Sequence, residues 1–137
     1  MKVLITGICG FAGFSIAERL FENHSNLQII GLDNFSRKGS ELNTSQLSNL
    51  GINLIRGDIR PQSDMDALPK VDWVIDCAAN PSVLAGIDGQ SSSRQLMEHN
   101  LLGTINLLEY CKSHKAGLNL LSTRGEYSAT ILEALQT

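Results

Sequence analysis

Short apolar runs alternate with segments of helical periodicity along this chain. Each run is rich in Val, Ile and Leu, and several are apolar at consecutive positions rather than at every second one. Such runs are typical of strands that are buried on both faces of a parallel sheet. The predicted strands cover residues 2–6, 27–33, 52–57, 71–79 and 118–123.

Helical segments are predicted between the strands, over residues 11–24, 40–50, 62–68 and 95–114. The apolar stripe of the first helix consists of Phe14, Ala17, Leu20 and Phe21. The longest helix follows three serines that are suitable N-caps, and it ends before Gly117. Its predicted core-facing stripe consists of Met97, Leu101, Ile105, Leu108 and Cys111.

The alternation of strands and helices predicts an α/β fold. Because parallel neighbours need right-handed crossovers, the order of elements favours a doubly wound, Rossmann-type sheet with the strand order 3-2-1-4-5. We assign residues 1–127 to this domain. In the last segment, 128–137, Thr130 and Glu133 have capping-box spacing, and we expect a short helix or a disordered tail there.

Composition narrows the class of protein. The 137 residues are 42% hydrophobic and 18% charged with a net charge of −3, as expected for one soluble domain. The dispersed Lys and Arg residues offer no footprint for nucleic acid, and no apolar run reaches the ~20 residues of a membrane span. The three cysteines show neither metal-site nor disulfide spacing, and no signal peptide is recognisable, so we expect a cytoplasmic protein without a metal site.

A glycine-rich loop, TGICGFAG, follows the first strand and opens the first helix. Its glycines, Gly7, Gly10 and Gly13, are spaced three and three, which differs from the G-x-G-x-x-G pattern. The same chemistry is available: a tight turn at the first glycine, close backbone approach at the second and close helix packing at the third. Together with the backbone N–H groups around Phe11 and Ala12, the loop predicts a site for a dinucleotide pyrophosphate.

The second predicted strand ends in Asp33, twenty residues after Gly13. A carboxylate at this spacing accepts hydrogen bonds from the adenine ribose hydroxyls of a dinucleotide. It also repels the 2′-phosphate of NADP, so the sequence favours NAD. Arg37 and Lys38 follow closely and are cations that tolerate such a phosphate, and a simple turn-capping role for Asp33 is the alternative.

Four segments together resemble the extended short-chain dehydrogenase/reductases: TGICGFAG, LDNFSRKGS, RGDIR and DCAANPSV. Within that family the chain is most similar to nucleotide-sugar epimerases and dehydratases, and CAANPSVLAG is closest to the CDP-tyvelose (CDP-paratose) 2-epimerase group. The resemblance covers roughly residues 1–128. It implies an NAD-dependent enzyme that oxidises a carbon of a nucleotide sugar transiently and then returns the hydride.

The resemblance assigns further residues to the cofactor. It implies that Asp58 and Ile59 contact the adenine ring, and that Asn100 holds the loop after the fourth strand on the nicotinamide side. Small side chains in that loop would let the ribose and phosphates lie over the sheet edge. The remaining cofactor contacts that it implies are Asn34, Ser36, Arg37, Ala78, Ala79, Asn80 and Ser122.

Only some of the catalytic residues of the family that this chain resembles have a counterpart in the sequence. Thr123 stands four residues before a tyrosine, as the family's Ser or Thr does, and would donate a hydrogen bond to the reacting sugar oxygen. The family's acid/base is a tyrosine followed four residues later by a lysine that lowers its pKa. Here Tyr110 is followed at that distance by His114 and Tyr127 by Ile131, so the pair is missing.

Three functions stay open on the sequence. The chain is the NAD-binding portion of a nucleotide-sugar epimerase and is inactive by itself, or it is a stand-alone NAD-binding module, or it is a portion of an NAD-dependent sugar dehydratase or reductase. Only CAANPSVLAG favours the epimerase. Because Leu118, Leu120 and Leu121 lie on the last predicted strand, we also expect a homodimer or poor solubility.

Overall fold

A computed structural model describes residues 1–80 and 92–121 of the chain. The strands in this part of the chain form one parallel sheet in the order β3-β2-β1-β4-β5, which confirms the predicted topology. They are β1 (Lys2–Thr6), β2 (Gln28–Asp33), β3 (Asn53–Arg56), β4 (Trp73–Asp76) and β5 (Gly117–Leu120).

Helices connect the strands at the predicted places. They are α1 (Phe11–Asn23), α2 (Thr44–Asn49), α3 (Gln62–Asp66), α4 (Ser93–Met97) and α5 (Gly103–His114). The predicted helix at 40–50 is divided into a 3₁₀ turn (Ser40–Asn43) and α2, and a π-helical turn (Glu98–Leu102) joins α4 to α5. Ser92 caps α4 in a capping box with Gln95, as the preceding serines suggested.

Two hydrophobic cores cover the two faces of the sheet. Leu4 of β1 and Val74 of β4 lie in one core with residues of α3 and α5. Ile5 and Ile29 lie in the other core with residues of α1 and α2. This division follows from the right-handed crossovers, which place helices on opposite faces as the chain moves outward from β1 in opposite directions.

The sheet also fixes where a site can form. Thr6, the last residue of β1, is paired with Leu32 of β2 on one side and with Asp76 of β4 on the other. Strand order reverses at β1, and in open parallel sheets this reversal leaves a crevice outside the carboxyl ends of the strands. Within the described ranges, no helix is both long enough and apolar enough to cross a bilayer.

The predicted core-facing stripe of the last helix is wrong. Of that stripe only Cys111 is buried, whereas Met97, Leu101, Ile105 and Leu108 are about half exposed, between 46% and 56%. The buried residues of α5 are Gly103, Leu107, Tyr110 and Cys111. Both stripes repeat at helical spacing, so periodicity alone could not decide which of them faces the sheet. In α1, Ala17 is buried as predicted but Phe21 is 45% exposed.

Candidate functional site

The glycine loop lies at the carboxyl end of β1 and leads directly into α1. Gly7 has a φ of +60°, and a Cβ there would lie 2.8 Å from the carbonyl oxygen of Cys77. A Cβ at Gly13 would lie 2.7 Å from the Cα of Ile8, so this glycine lets α1 pack against the loop. A Cβ at Gly10 would meet only the carbonyl oxygen of Gly7, at 3.2 Å. Two of the glycines are therefore needed for packing, whereas Gly10 leaves space beside the loop.

The N-terminus of α1 is suited to an anion. No side chain caps this helix. Its first intrahelical hydrogen bond runs from the N–H of Phe14 to the carbonyl of Gly10, at 2.9 Å. The N–H groups of Phe11, Ala12 and Gly13 precede that bond and so have no partner within the helix. Such N–H groups and the positive end of the helix dipole favour phosphate.

Asp33 at the end of β2 holds the glycine loop and also borders the cleft. Its carboxylate accepts hydrogen bonds from the N–H of Cys9 at 2.9 Å and from the N–H of Phe35 at 2.8 Å. The side chain amide of Asn43 donates to the carbonyl of Cys9 at 2.9 Å, which fixes the loop from a second side. Each carboxylate oxygen of Asp33 has one backbone donor, and a carboxylate offers about four acceptor positions. It therefore retains capacity for ligand hydroxyls.

The segment after β3 forms a second wall of the cleft. The guanidinium of Arg60 donates to both carboxylate oxygens of Asp58, at 2.9 and 2.6 Å, and the amide of Asn34 donates to the same carboxylate at 2.8 Å. Burial raises the pKa of Asp58, but the hydrogen bonds from Arg60 and Asn34 outweigh it and hold that pKa well below its usual range. This wall is thus a charged network that ties the ends of β2 and β3 together.

A buried polar pair joins the ends of β1 and β4. The hydroxyl of Thr6 donates to the carboxylate of Asp76, and both side chains are buried. The N–H groups of Cys77 and Ala78 point back at the same hydroxyl, at 3.2 and 3.3 Å. The pair therefore sets the path of the backbone where it leaves β4.

The loop after β4 is held from the other side by the π-helical turn. The amide oxygen of Asn100 accepts from the N–H of Asn80 at 2.8 Å, and its amide nitrogen donates to the carbonyl of Asn80 at 3.2 Å. The contact between Asn100 and this loop is the one that the resemblance implied. It fixes the two peptide groups on either side of the Asn80 Cα at the rim of the cleft.

These features border one cleft at the carboxyl ends of the strands. The predicted residues that line it are Gly7, Gly10, Asp33, Asn34, Ser36, Arg37, Asp58, Ile59, Ala78 and Ala79. Sequence reasoning missed several further lining residues, namely Thr6, Leu32, Ser40, Gly57, Cys77 and His99. A polar residue at the end of an apolar strand was the available signal for Thr6, whereas nothing in the pattern distinguishes His99.

Other predicted site residues lie beside the cleft rather than along it. Phe11 is 85% exposed, so it can serve a ligand only through its backbone or at the rim. Ala12 and Gly13 lie in the first turn of α1, and Asn80 and Asn100 hold the loop after β4. Ser122 and Thr123 lie outside the described residues.

Burial keeps the two thiols near the cleft in the protonated form. Burial, with a contribution from the Asp33 carboxylate, raises the pKa of Cys9 to about 12. Burial, with a contribution from Asp76, raises the pKa of Cys77 to about 11. The thiolate is the reactive form of cysteine, so neither residue is a nucleophile at neutral pH. The cleft is arranged to bind a ligand by backbone N–H groups, carboxylates and small side chains.

Comparison with known proteins assigns the chain to a family. The sequence profile of the NAD dependent epimerase/dehydratase family matches residues 3–133. The chain belongs to this family. The CDP-paratose 2-epimerase of Salmonella typhi is 34% identical over 134 residues, which are 95% of this chain and 37% of that protein. The chain thus spans little more than a third of the length of this curated relative.

Solved structures of the family have the same fold. The ADP-L-glycero-D-manno-heptose-6-epimerase of Helicobacter pylori matches with a TM-score of 0.78 and 28% identity, over 93% of this chain and 40% of that one. The UDP-glucose 4-epimerase of Thermus thermophilus, in complex with NAD, matches with a TM-score of 0.66 and 31% identity. That match covers 85% of this chain and 35% of the other.

Proposed function

We propose that this chain binds NAD in the cleft and is the cofactor-binding part of a nucleotide-sugar epimerase. One observation carries the proposal: the uncapped N-terminus of α1 and the buried carboxylate of Asp33 belong to a single cleft at the strand reversal. A phosphate site and a hydroxyl acceptor at that place fit the pyrophosphate and adenine ribose of a dinucleotide. The NAD complex of the Thermus relative supports this assignment.

The residues present fit the dinucleotide. A pyrophosphate at the start of α1 needs backbone N–H groups without a covering side chain, and Gly10 supplies that opening. Asp33 would accept from the ribose hydroxyls, Asp58 and Ile59 would border the adenine, and the loop held by Asn100 would lie on the nicotinamide side. The small side chains of Ala78 and Ala79 would leave room for the ribose and phosphates of the ligand.

We further propose that NAD is preferred over NADP. The Asp33 carboxylate would repel a 2′-phosphate, whereas the Arg37 guanidinium would attract one, and both border the cleft. Asp33 is buried and held by two backbone N–H groups, so its charge is fixed in place. Calorimetric titration with both cofactors tests this proposal. Equal or tighter binding of NADP would contradict it.

The sugar chemistry is proposed from the family and from CAANPSVLAG. NAD supplies a hydride acceptor that takes hydrogen from a sugar carbon and later returns it. In this chain Thr123 would donate a hydrogen bond to the oxygen of that carbon. No tyrosine is followed four residues later by a lysine, so no group of that kind removes the hydroxyl proton. General acid–base catalysis contributes about 10²–10⁴-fold, and we expect the 137 residues alone to bind NAD without turnover.

The test of the sugar chemistry uses the purified chain and the protein as it occurs in its source cells. We expect no conversion of CDP- or UDP-sugars by the purified chain, measured by NMR of the sugar signals. A longer polypeptide in the cells, detected by its intact mass, should epimerise one of these sugars in the presence of NAD. Loss of water from the sugar would instead favour a dehydratase. A chain of 137 residues that binds NAD in the cells would favour a stand-alone binding module.

Location and assembly are proposed from the cysteines and the sheet edge. All three cysteines are unbridged thiols, which suits a reducing compartment such as the cytoplasm. Leu120 on β5 is 51% exposed, and an exposed apolar edge favours pairing with a second copy. Light scattering should detect a dimer that Leu120→Lys weakens. Leu108→Lys tests the exposed apolar stripe of the last helix, and Leu42→Lys in the 3₁₀ turn is the control. Disruption by Leu108→Lys and not by Leu120→Lys would place the interface on the helix.

A further inference from the structure

The segment 57–60, which forms the Asp58 wall of the cleft, is anchored to α5 at two points. Gly103 lies against Ile59, and a Cβ at this glycine would come within 2.6 Å of the Ile59 Cγ1. Three residues further along the helix, the side chain amide of Asn106 donates to the carbonyl of Ile59 and to the carbonyl of Arg60, both at 2.8 Å. One amide group thus engages two successive peptide groups.

This double contact determines how the wall is oriented. Because peptide groups are planar, holding the carbonyls of Ile59 and Arg60 also fixes the peptide groups on either side of the Arg60 Cα, and with them the direction of the Arg60 side chain. Arg60 in turn holds the carboxylate of Asp58 with two hydrogen bonds, and Asn34 reaches that carboxylate from the end of β2. Asn106 therefore orients the hydrogen-bond network of Arg60, Asp58 and Asn34, although it does not itself line the cleft.

The same helical segment also holds the opposite wall. Asn100 in the π-helical turn bridges the backbone of Asn80, and Asn106 follows six residues later in α5. The walls at Asp58 and at Ala78–Asn80 are thereby attached to one continuous helical element.

We propose that Asn106 is a positioning residue for the cofactor, which holds the Asp58–Ile59 wall in register with the rest of the cleft. The proposal rests on the proposed function, because it assumes that this cleft takes NAD. It predicts that the two asparagines affect different parts of the bound cofactor. Asn106 positions the wall on the adenine side, whereas Asn100 positions the loop on the nicotinamide side. A purely structural asparagine would not produce that difference.

The experiment compares NAD with ADP, which carries the adenosine and the pyrophosphate of the cofactor but lacks its nicotinamide riboside. In Asn106→Leu we expect the Kd of both ligands to rise about tenfold, or about 1.4 kcal/mol, because the partly buried hydrogen bonds to the carbonyls of Ile59 and Arg60 are lost. In Asn100→Leu we expect weaker NAD binding with ADP binding unchanged. Calorimetry gives each Kd, and thermal unfolding gives the stability of each variant.

Tyr110→Phe is the matched control. Tyr110 lies on the same helix and donates to the carbonyl of Pro69 at 2.6 Å, away from the residues that line the cleft. Its loss should lower the melting temperature without changing either Kd. An equal loss of ligand binding in Tyr110→Phe and Asn106→Leu would overturn the proposal, as would unchanged ADP binding in folded Asn106→Leu.

Asn106→Asp keeps the test decisive if the leucine variant does not fold. This variant retains the shape but points carboxylate oxygens at two carbonyl oxygens, so binding at pH 8 should be weakened about tenfold. At pH 4, close to the ordinary aspartic acid pKa of about 3.9, part of the carboxyl is protonated and donates again, so the Kd ratio of variant to wild type should shrink. A ratio that stays constant with pH contradicts the proposal. Failure of the wild-type chain to bind NAD or ADP would instead refute the proposed function.

Discussion

Thr6 and Asp76 are direct neighbours at the ends of two parallel strands that are 70 residues apart in sequence, and their buried side chains share a hydrogen bond. No cation accompanies this carboxylate among its hydrogen-bond partners in the described chain, which are the Thr6 hydroxyl and the N–H of Ala78. Burial raises the pKa of Asp76, and the bonds from Thr6 and Ala78 offset this only in part.

The first prediction is that Asp76→Asn gains stability relative to wild type as the pH rises from 4 to 7. Between the ordinary and the raised pKa, folded wild type keeps a proton that the unfolded chain has released, so its free energy of unfolding falls with pH. An asparagine does not ionise, so its free energy of unfolding lacks this fall with pH, and its amide oxygen still accepts from Thr6. Urea unfolding at several pH values measures the difference. Exposed Asp66→Asn is the control, and parallel profiles for Asp76→Asn and wild type would contradict the prediction.

The second prediction concerns Arg60, whose guanidinium binds both carboxylate oxygens of Asp58. Because the pKa of Asp58 is lowered, the ionised carboxylate stabilises the fold above its ordinary pKa, and this contribution is lost as the pH falls through the lowered value. We expect Arg60→Gln to cost about 1 kcal/mol at pH 7, since the pair is partly exposed. The loss relative to wild type should diminish below about pH 4. Urea unfolding at pH values from 7 down to 2 measures this loss, and a loss that stays constant over the whole range would count against the Asp58 contact.

The third prediction separates two glycines of the loop. Gly10→Val should abolish NAD binding and leave the fold largely intact, because a Cβ there meets only one atom of the loop, at 3.2 Å. Gly13→Val should unfold the domain, because its Cβ would overlap the backbone of Gly7 and Ile8. Circular dichroism and calorimetry distinguish the two outcomes. A Gly10 variant that unfolds like the Gly13 variant would show that both glycines serve packing.

The fourth prediction is that Asp33→Ala weakens NAD binding by roughly 1–3 kcal/mol, the range for a buried polar group that loses its partner. The same change removes the acceptor for the N–H groups of Cys9 and Phe35, so the loop should also lose stability. Asp33→Asn keeps one carbonyl acceptor and should retain more stability than the alanine variant while still binding NAD less tightly. Unchanged NAD affinity in Asp33→Asn would remove the carboxylate from the cofactor site.

Much of the fold follows from local sequence. The runs that form β1 and β2 are apolar at successive positions because both faces of those strands are buried, and the glycine loop marks the first crossover. The orientation of the last helix could not be obtained this way. It has two apolar stripes, and the sheet selects the one with Gly103 because Ile59 needs the space beside that glycine.

Residues that border the cleft were predictable where they belong to a sequence motif, as with Asp33, Gly7 and Gly10. A residue was not predictable where it acts through tertiary contacts. Asn106 reaches the segment after β3 across 46 residues or more, and Cys77 borders the cleft because Gly7 packs against its backbone. Polar residues inside apolar strands, such as Thr6, are a local sign of such contacts.

The central position of β1 has a consequence for synthesis. Its two neighbours are β2 and β4, and the pairing of Val3 with Trp73 closes the longest loop between paired strands in the described sheet. At about 5–20 residues per second, roughly 4–14 s pass between the emergence of β1 and that of β4. Until then one hydrogen-bonding edge of β1 has no native partner. The nascent chain therefore carries its greatest risk of mispairing before β4 has been synthesised.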